Sequence, residues 1–312
     1  MTVSVSVDNL TKAYPEHTAV DRLTMSVPDG SVFGFLGPNG AGKTTTVRMV
    51  LGFARPTSGS VSVLDHDVAS YSDTELARLR RRIGFLPDVP GFYPWMSARD
   101  VLRFAASLVG VKGTTLTKRA ESLLELAGLS DVRQRVGGYS RGMKQRLGIA
   151  QALIGAPDLL VLDEPTSALD PIGRKTVLHM VAALRGRTTV FFSTHILSDV
   201  ERVCDEVAIL DNGRLVTQGS VEELKTQYGG SSRYALDVTG ETARLRTTLG
   251  AEPWVGRIVD TASGVELTVN DLDLARRRVP AIVAGLGVGL VRFEPIETSL
   301  EDVFVSLVQR DA

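Results

Sequence analysis

Short apolar runs alternate with amphipathic stretches along the chain, and this alternation predicts an α/β fold. Residues 31–36 and 159–162 are almost continuously apolar, which is typical of parallel strands buried on both faces. Residues 3–7 alternate valine with serine and are predicted to form a strand with one buried face. Residues 45–52 carry apolar side chains on one side, which predicts a helix directly after the strand at 31–36.

The pattern then predicts a sheet that is interrupted by helices. Residues 8–17 are polar and indicate a turn region. Three helices, at 98–108, at 117–127 and starting near Arg141, form an all-helical insertion at about 89–156. The other expected elements of this part are strands at 20–27, 59–64, 83–86, 188–192, 207–210 and 215–217 and helices at 73–82 and 171–184.

A small, polar segment at residues 228–232 predicts a domain boundary. We therefore expect one domain at 1–228 and a small α+β accessory domain at 233–312. In the second part the pattern reads strand, helix, strand, strand, helix, strand, followed by a last helix at 299–309. This order predicts a split-βαβ sandwich.

Bulk properties narrow the class of protein. The 312 residues suit two domains, and 43% hydrophobic with 23% charged residues is ordinary globular composition. A net charge of −1 gives no electrostatic argument for nucleic acid as a partner. The single cysteine, Cys204, excludes an internal disulfide and indicates a reducing compartment. Residues 1–4 show no signal-peptide pattern, and the nearly apolar run at 279–291 is too short to span a bilayer.

The candidate chemistry begins with a glycine-rich loop between the strand at 31–36 and the following helix. It fits the pattern G-x-x-x-x-G-K-[ST], and strand, loop and helix follow in the order that a phosphate-binding loop needs. Backbone N–H groups and the helix N-terminus would hold a polyphosphate, Lys43 would reach its β- and γ-phosphates, and the Thr44 hydroxyl would bind Mg²⁺. The alternative is a glycine-rich turn with an exposed lysine. The loop consists of Gly37, Pro38, Asn39, Gly40, Ala41, Gly42, Lys43 and Thr44, followed by Thr45.

Polar side chains also follow two other apolar strands. Asp163 and Glu164 come directly after residues 159–162, and His195 follows the strand at 188–192. The first carboxylate is suited to holding Mg²⁺ and the second to activating water. A lone histidine is more often an ordinary surface or core residue, but His195 stands at the end of a strand of the same sheet, where it could touch a γ-phosphate.

Taken with three further segments, these motifs resemble those of an ABC-transporter ATPase subunit. The resemblance covers about residues 3–225 and implies a P-loop NTPase fold with a mixed sheet and a helical insertion. The C-terminal segment 295–304 is similar to that of ATPases paired with ABC-2 type permeases, including bacterial drug exporters. The motifs stand in the family's order: residues 37–45, a Q-loop-like segment 85–88, a signature at 139–143, residues 159–164, a D-loop at 167–170 and His195.

The resemblance implies roles for single residues. Glu164 would be the catalytic base, Asp163 would support the metal, and His195 would contact the γ-phosphate. Tyr14 resembles the aromatic residue that stacks on adenine, with a packing tyrosine as the alternative. Because the family sandwiches two nucleotides between two such domains, Ser140 and the Gly142 backbone would reach the ATP of a second copy. A homodimer, ATP and Mg²⁺ are therefore implied, as is a membrane permease that holds the chain at the cytoplasmic face.

Two motifs, the Q-loop and the signature, depart from the family pattern. Asp88 stands where the wider family has glutamine, and a carboxylate there could bind Mg²⁺ or its water but adds negative charge beside a triphosphate. Arg141 stands where the family usually has glycine, and Met143 where glutamine is usual. The glycine's conformational freedom is lost at position 141.

A proline-flanked loop between Asp88 and the helical insertion contains Phe92, Tyr93 and Trp95. Exposed aromatic clusters mark contact sites, and the resemblance places the permease in this region. We therefore expect the permease to dock here. The alternative is that the aromatics cap the core of the insertion.

Three functions remain open at this point. The leading one is the motor subunit of an ABC transporter, driven by ATP-dependent dimer closure and reopened by hydrolysis. The second is a soluble ABC-type ATPase that acts on nucleic acid or ribosomes, against which the near-zero net charge argues. The third is an ATP-binding regulator without hydrolysis, against which Glu164 and His195 argue.

Overall fold

The computed structural model of the chain describes residues 2–68, 70, 72–167, 169–228, 232–240, 242–296 and 299–308. Its contacts divide the chain into two compact units, Met1–Val221 and Glu222–Ala312. One hydrophobic core cluster lies in the first unit and contains buried residues from Val5 to Leu210, and another lies in the second unit and contains buried residues from Tyr234 to Val283. Each unit therefore has a core of its own.

In the described residues of the first unit there are ten strands and seven α-helices, and an eighth α-helix begins at the unit's last residue. The strands are β1 (Val3–Tyr14), β2 (His17–Pro28), β3 (Val32–Leu36), β4 (Ser58–Val63), β5 (His66–Asp67), β6 (Ile83–Leu86), β7 (Leu159–Asp163), β8 (Thr189–Thr194), β9 (Glu206–Asp211) and β10 (Arg214–Ser220). The helices are α1 (Lys43–Val50), α2 (Asp73–Arg80), α3 (Ala98–Val109), α4 (Gly113–Leu126), α5 (Arg141–Leu153), α6 (Pro171–Ala182), α7 (Leu197–Val203) and α8 (Val221–Tyr228).

Two sheets form the first unit. The larger has the order β10-β9-β3-β8-β7-β6, and all its neighbouring strands are parallel except β10, which pairs with β9 as an antiparallel hairpin. Strands β3, β7 and β8 are buried at every position, as expected for parallel strands covered on both faces. The smaller sheet, β2-β1-β4-β5, is antiparallel. The predicted mixed sheet is confirmed.

The helical insertion forms where the sequence predicts it, between β6 and β7. Helix α3 begins at a capping box in which the Ser97 side chain accepts from the Asp100 N–H and the Asp100 carboxylate accepts from the Ser97 N–H. Ser140 caps α5 by accepting from the Met143 N–H at 3.2 Å. Helix α4 starts at Gly113, four residues before the predicted start at Thr117, because the backbone already turns at Gly113.

One sequence prediction for this unit is wrong, and two of its helices were not predicted. Residues 8–17 are not a polar turn region, because β1 continues to Tyr14 and pairs that residue with His17. Polar residues are tolerated there because one face of an antiparallel ribbon can lie in water. Helices α7 and α8 are the two missed, because with seven and eight residues they give little periodic signal.

The second unit is built on one antiparallel sheet with the order β12-β13-β11-β14. This is the split-βαβ arrangement that the sequence predicts, because the β12–β13 hairpin places β13 between β11 and β12. A last helix follows. The elements are β11 (Ser232–Thr239), α9 (Thr242–Gly250), β12 (Val255–Asp260), β13 (Gly264–Val269), α10 (Leu272–Gly285), β14 (Gly289–Ile296) and α11 (Leu300–Val308).

Some predicted features fall outside the described residues: the linker positions Gly229, Gly230 and Ser231, the D-loop residue Ala168, and Glu297 and Thr298 of the C-terminal motif. Within the described ranges, no helix combines the length and the apolar character needed to cross a bilayer.

The separate cores generate a first prediction. A chain that ends at Tyr228 should fold cooperatively and bind an ATP analogue with the affinity of the full chain, because the buried apolar residues described for the first unit lie between Val5 and Val221. Thermal unfolding and calorimetric titration of the two chains would test it. An insoluble or non-binding shortened chain would show that the domain limit at 228 is misplaced.

Candidate active site

Three neighbouring parallel strands bring the candidate residues to one edge of the larger sheet. Leu36 at the end of β3 pairs with Thr194 of β8, and Asp163 at the end of β7 pairs with Ser193 of β8. The Gly37 N–H also donates to the Thr194 carbonyl, at 3.3 Å. The carboxyl ends of such strands are where α/β sheets bind ligands.

The glycine-rich loop has a backbone that other residues could not adopt. Gly40 and Gly42 have φ angles of 87° and 95°. A Cβ atom added at Gly42 would lie 2.4 Å from the Ala19 carbonyl oxygen, so this position requires glycine for space as well as for conformation. Helix α1 begins immediately afterwards, and its first N–H groups lie at the loop.

Lys43 lies beneath this loop and is only 6% exposed. Its ammonium donates to the carbonyl of Gly37 at 2.7 Å and to that of Pro38 at 3.2 Å. It also lies 3.2 Å from Oε1 of Glu164. A buried cation needs such partners, and phosphate oxygens can take their place.

Glu164 joins two of the predicted residues. Its side chain is 13% exposed, Oε1 faces Lys43, and Oε2 lies 2.8 Å from Nδ1 of His195. Its φ angle of 49° is uncommon outside glycine and turns the residue out of the line of β7. The Glu164 N–H donates to the carbonyl of Ser193 at 3.0 Å and to its hydroxyl at 3.3 Å, which holds the turn in place.

Asp163 and Thr44 form a pair of oxygen ligands suited to Mg²⁺. The Thr44 hydroxyl lies 3.5 Å from Oδ1 of Asp163, which also accepts from the Ser193 hydroxyl at 2.5 Å. Within the described part of the chain there is no group of three or more His, Cys, Asp or Glu residues that could hold a metal. A hydroxyl and a carboxylate fit an ion that keeps waters and binds substrate phosphates.

A cavity of about 340 Å³ opens above the loop. Asp88 and His17 belong to its wall, whereas Tyr14 does not. Tyr14 instead stacks on the His17 ring, with the ring centres 5.5 Å apart and the planes inclined at 26°. The lining residues are His17, Ala19, Asn39, Gly40, Gly42, Lys43, Thr44, Thr45, Asp88 and Glu164.

The sequence did not predict His17 or Ser193 as residues of the site. His17 lies beside Tyr14 because of the β1–β2 pairing, and the prediction of a turn region hid that pairing. Ser193 could have been found from its position, because it precedes Thr194 and His195 at the end of an apolar strand.

The signature residues lie at the start of α5. Ser140 and Gly142 are not among the lining residues of the cavity. Arg141 and Gly142 have no positive φ, so the glycine freedom lost at position 141 is not needed here. The Arg141 guanidinium lies 3.5 Å from the Asp88 carboxylate. Burial raises the pKa of Tyr139, whose hydroxyl finds no hydrogen-bond partner in the described part of the chain.

Comparison with known proteins gives the family. Residues 20–167 match the family model described as ABC transporter, and residues 219–308 match the C-terminal domain of ATP-binding proteins similar to DrrA1-3. An ABC transporter ATP-binding protein of Bacillus subtilis, YxlF, is 40% identical over 97% of this chain and 99% of its own length. The chain belongs to the ABC transporter ATP-binding proteins.

Two further comparisons add detail. The bacitracin transport ATP-binding protein BcrA of Bacillus licheniformis is 41% identical over 72% of each chain. The solved structure of the dimeric ATP-binding cassette MJ0796, in a post-hydrolysis state with ADP and phosphate, superposes with a TM-score of 0.62. It is 25% identical and covers 69% of this chain and 98% of that one.

These matches decide between the functions left open by the sequence. The protein is an ATP-binding subunit of an ABC transporter, and it is an ATPase. The predicted family, the P-loop fold and the transport function are confirmed. The alternatives of a nucleic-acid-directed ATPase and of a regulator without hydrolysis are not supported.

Lys43 generates a prediction at this site. Lys43→Met should weaken binding of an ATP analogue by about ten- to a hundredfold, because charge-assisted hydrogen bonds to the phosphates are lost. Calorimetric titration would measure it, and Lys118→Met on the exposed face of α4 is the matched control. Binding by Lys43→Met at wild-type affinity would disprove the assignment of the loop, provided that both variants unfold at the wild-type temperature.

Proposed function

We propose that the chain is the motor subunit of an exporter and pairs with a separate permease of the ABC-2 type. The second family match and the transport name of BcrA support this proposal. ATP would close a homodimer, and hydrolysis would reopen it and drive the permease between two states. The chain would then lie at the cytoplasmic face of the membrane, held there by the permease.

The ATP-driven cycle in this proposal rests on the contact of Glu164 with both Lys43 and His195. In this arrangement the Glu164 carboxylate is paired with the Lys43 ammonium, the same group that would bind the phosphates of ATP. When the phosphates bind, Lys43 would turn to them, and Glu164 would be released to accept a proton from the attacking water. His195 would stay within reach of Glu164 and contact the γ-phosphate.

The loop residues would bind the phosphates, and three side chains would serve the metal. The backbone N–H groups of the loop residues in the cavity wall, at 39, 40 and 42–45, would form a cradle for anions. Thr44 and Asp163 would hold Mg²⁺, and Asp88 would hold it or one of its waters. The ion would supply neutralisation of the charge that develops on the phosphates. Ser193 keeps Asp163 in position by its 2.5 Å hydrogen bond.

The adenine base would lie against Tyr14 and His17. Their rings are stacked, and His17 reaches the cavity wall that Tyr14 does not. A base could therefore contact the Tyr14–His17 pair by stacking. Tyr14 is 40% exposed, and the Lys12 ammonium also lies over its ring, 5.2 Å from the ring centre.

A second copy would complete the site. Ser140 uses its oxygen to cap α5, and its hydroxyl hydrogen is left to donate to a phosphate of the partner's ATP. A Cβ atom added at Gly142 would meet nothing closer than 3.7 Å, so the position is open to an approaching ligand. Both residues lie outside the wall of their own chain's cavity, which fits action in trans.

The permease would dock on an aromatic patch formed by Tyr93, Trp95 and Phe104. These side chains are 50%, 60% and 46% exposed, and the Tyr93 ring contacts both others at centroid distances of 5.0 and 6.1 Å. Phe92, which the sequence places in the same cluster, is half-buried. Exposure of this extent favours a contact surface over a cap on the core of the insertion.

Glu164 generates a prediction about catalysis. Glu164→Gln should slow ATP hydrolysis by about a hundredfold or more, because general-base assistance is worth roughly 10²–10⁴. It should still bind ATP and should accumulate as a dimer in ATP. Phosphate release and light scattering would measure the two effects.

Glu121→Gln on the exposed face of α4 is the matched control and should hydrolyse ATP at the wild-type rate. Wild-type turnover by Glu164→Gln would remove Glu164 from the mechanism.

The aromatic patch generates a prediction about the partner. Tyr93→Ala and Trp95→Ala should leave ATP affinity within about twofold of wild type but reduce co-purification with an ABC-2 type permease encoded beside this gene, because interface aromatics carry much of the binding energy. Leu290→Ala, an exposed apolar residue of the second unit, is the control. Lower unfolding temperatures with intact association would identify the patch as part of the core instead.

A further inference from the structure

Asp88 and Arg141 form an ion pair between two segments of the first unit. Asp88 follows β6 and lies in the cavity wall together with Lys43 and Glu164. Arg141 is the first residue of α5, the helix that Ser140 caps. One Nη of Arg141 lies 3.5 Å from Oδ1 of Asp88, and the two side chains are 50% and 48% exposed.

The charges around the cavity explain why Asp88 needs a partner. The titratable residues of its wall are His17, Lys43, Asp88 and Glu164. Lys43 is already engaged with Glu164, at 3.2 Å. In the absence of both Arg141 and Mg²⁺, the carboxylate of Asp88 would stand uncompensated at a site that has to accept a polyphosphate, and its repulsion would weaken binding.

The ion pair also stabilises the Arg141 guanidinium at the start of α5. A cation at a helix N-terminus is repelled by the helix dipole. The first turn of α5 contains no acidic residue that could offset this repulsion. The Asp88 carboxylate, which lies 53 residues earlier in the chain, offsets the repulsion instead.

We propose that Arg141 is a positioning residue of its own chain's nucleotide site, where it neutralises Asp88 and so allows a carboxylate to stand beside the phosphates. The proposal rests on the proposed function in that the cavity is taken to hold the phosphates of ATP. Arg141 itself does not touch the nucleotide of its own chain. It acts through Asp88 and ties the start of α5 to the phosphate pocket.

The consequence is that each residue matters only in the presence of the other. Arg141→Gln leaves an uncompensated carboxylate and should weaken nucleotide binding. Asp88→Asn removes that carboxylate and should bind at least as tightly as wild type. In the Asp88→Asn background, Arg141→Gln should have no further effect on affinity.

The test is a double-mutant cycle on the full-length chain with a non-hydrolysable ATP analogue as the probe. Titration in EDTA separates the charge of Asp88 from any role as a metal ligand. We expect Arg141→Gln to raise Kd by about two- to fivefold, the range of a half-exposed ion pair, and Asp88→Asn/Arg141→Gln to match Asp88→Asn. The effect should shrink at high ionic strength.

Two readouts separate this role from a purely structural one. A structural defect would lower the unfolding temperature and would not respond to salt in the binding assay. In steady-state hydrolysis with Mg²⁺, Arg141→Gln should raise KM with little change in kcat. Arg141→Lys, which keeps the charge, should restore most of the affinity.

Several outcomes would overturn the proposal. Equal weakening by Arg141→Gln in both backgrounds would mean that Arg141 acts on a phosphate directly, and no weakening in either would remove it from the site. A change confined to ATP-driven dimerisation would assign Arg141 to the partner's nucleotide. Failure of the wild-type chain to bind the analogue more tightly than Lys43→Met would refute the proposed function instead.

Discussion

The buried ammonium of Lys43 is the constraint on which the active site depends. It lies almost out of contact with water, so it has to keep anionic or carbonyl partners at all times. In this structure two loop carbonyls and Glu164 serve that purpose. The cation therefore links the phosphate-binding loop to the end of β7, where Glu164 follows the strand. Exchange of Glu164 for phosphate would be the local event that converts binding into readiness for hydrolysis.

That constraint in turn requires the sheet order. Lys43 follows β3 and Glu164 follows β7, and the two strands are separated only by β8, which ends at Thr194. His195 consequently stands beside Glu164, and Ser193 reaches both Asp163 and the backbone of Glu164. The all-parallel pairing of these strands brings their ends to a single edge. The strongly apolar composition of the three strands is what permits burial on both faces.

Much of this could be predicted because the signals are local. The loop, the strand ends with Asp163, Glu164 and His195, and the β-α-β-β-α-β order of the second unit each lie within a few neighbouring residues or follow a simple period. The pairing of Tyr14 with His17 was missed because polar residues on an exposed ribbon resemble a turn. The Asp88–Arg141 contact joins segments far apart in the chain, and no local pattern reports such a contact.

The backbone at Glu164 has a consequence for the stability of the protein. A left-handed conformation at a non-glycine residue costs on the order of 1–3 kcal/mol, and here it falls on the residue that has to carry the carboxylate. Replacing Glu164 by glycine would relieve that strain, but it would also remove one partner of the Lys43 ammonium. With Glu164 in its proposed role as the base, selection for a more stable chain and selection for activity would act in opposite directions at this one position. Activity would be maintained there at the expense of stability, which is the trade-off often found at catalytic residues.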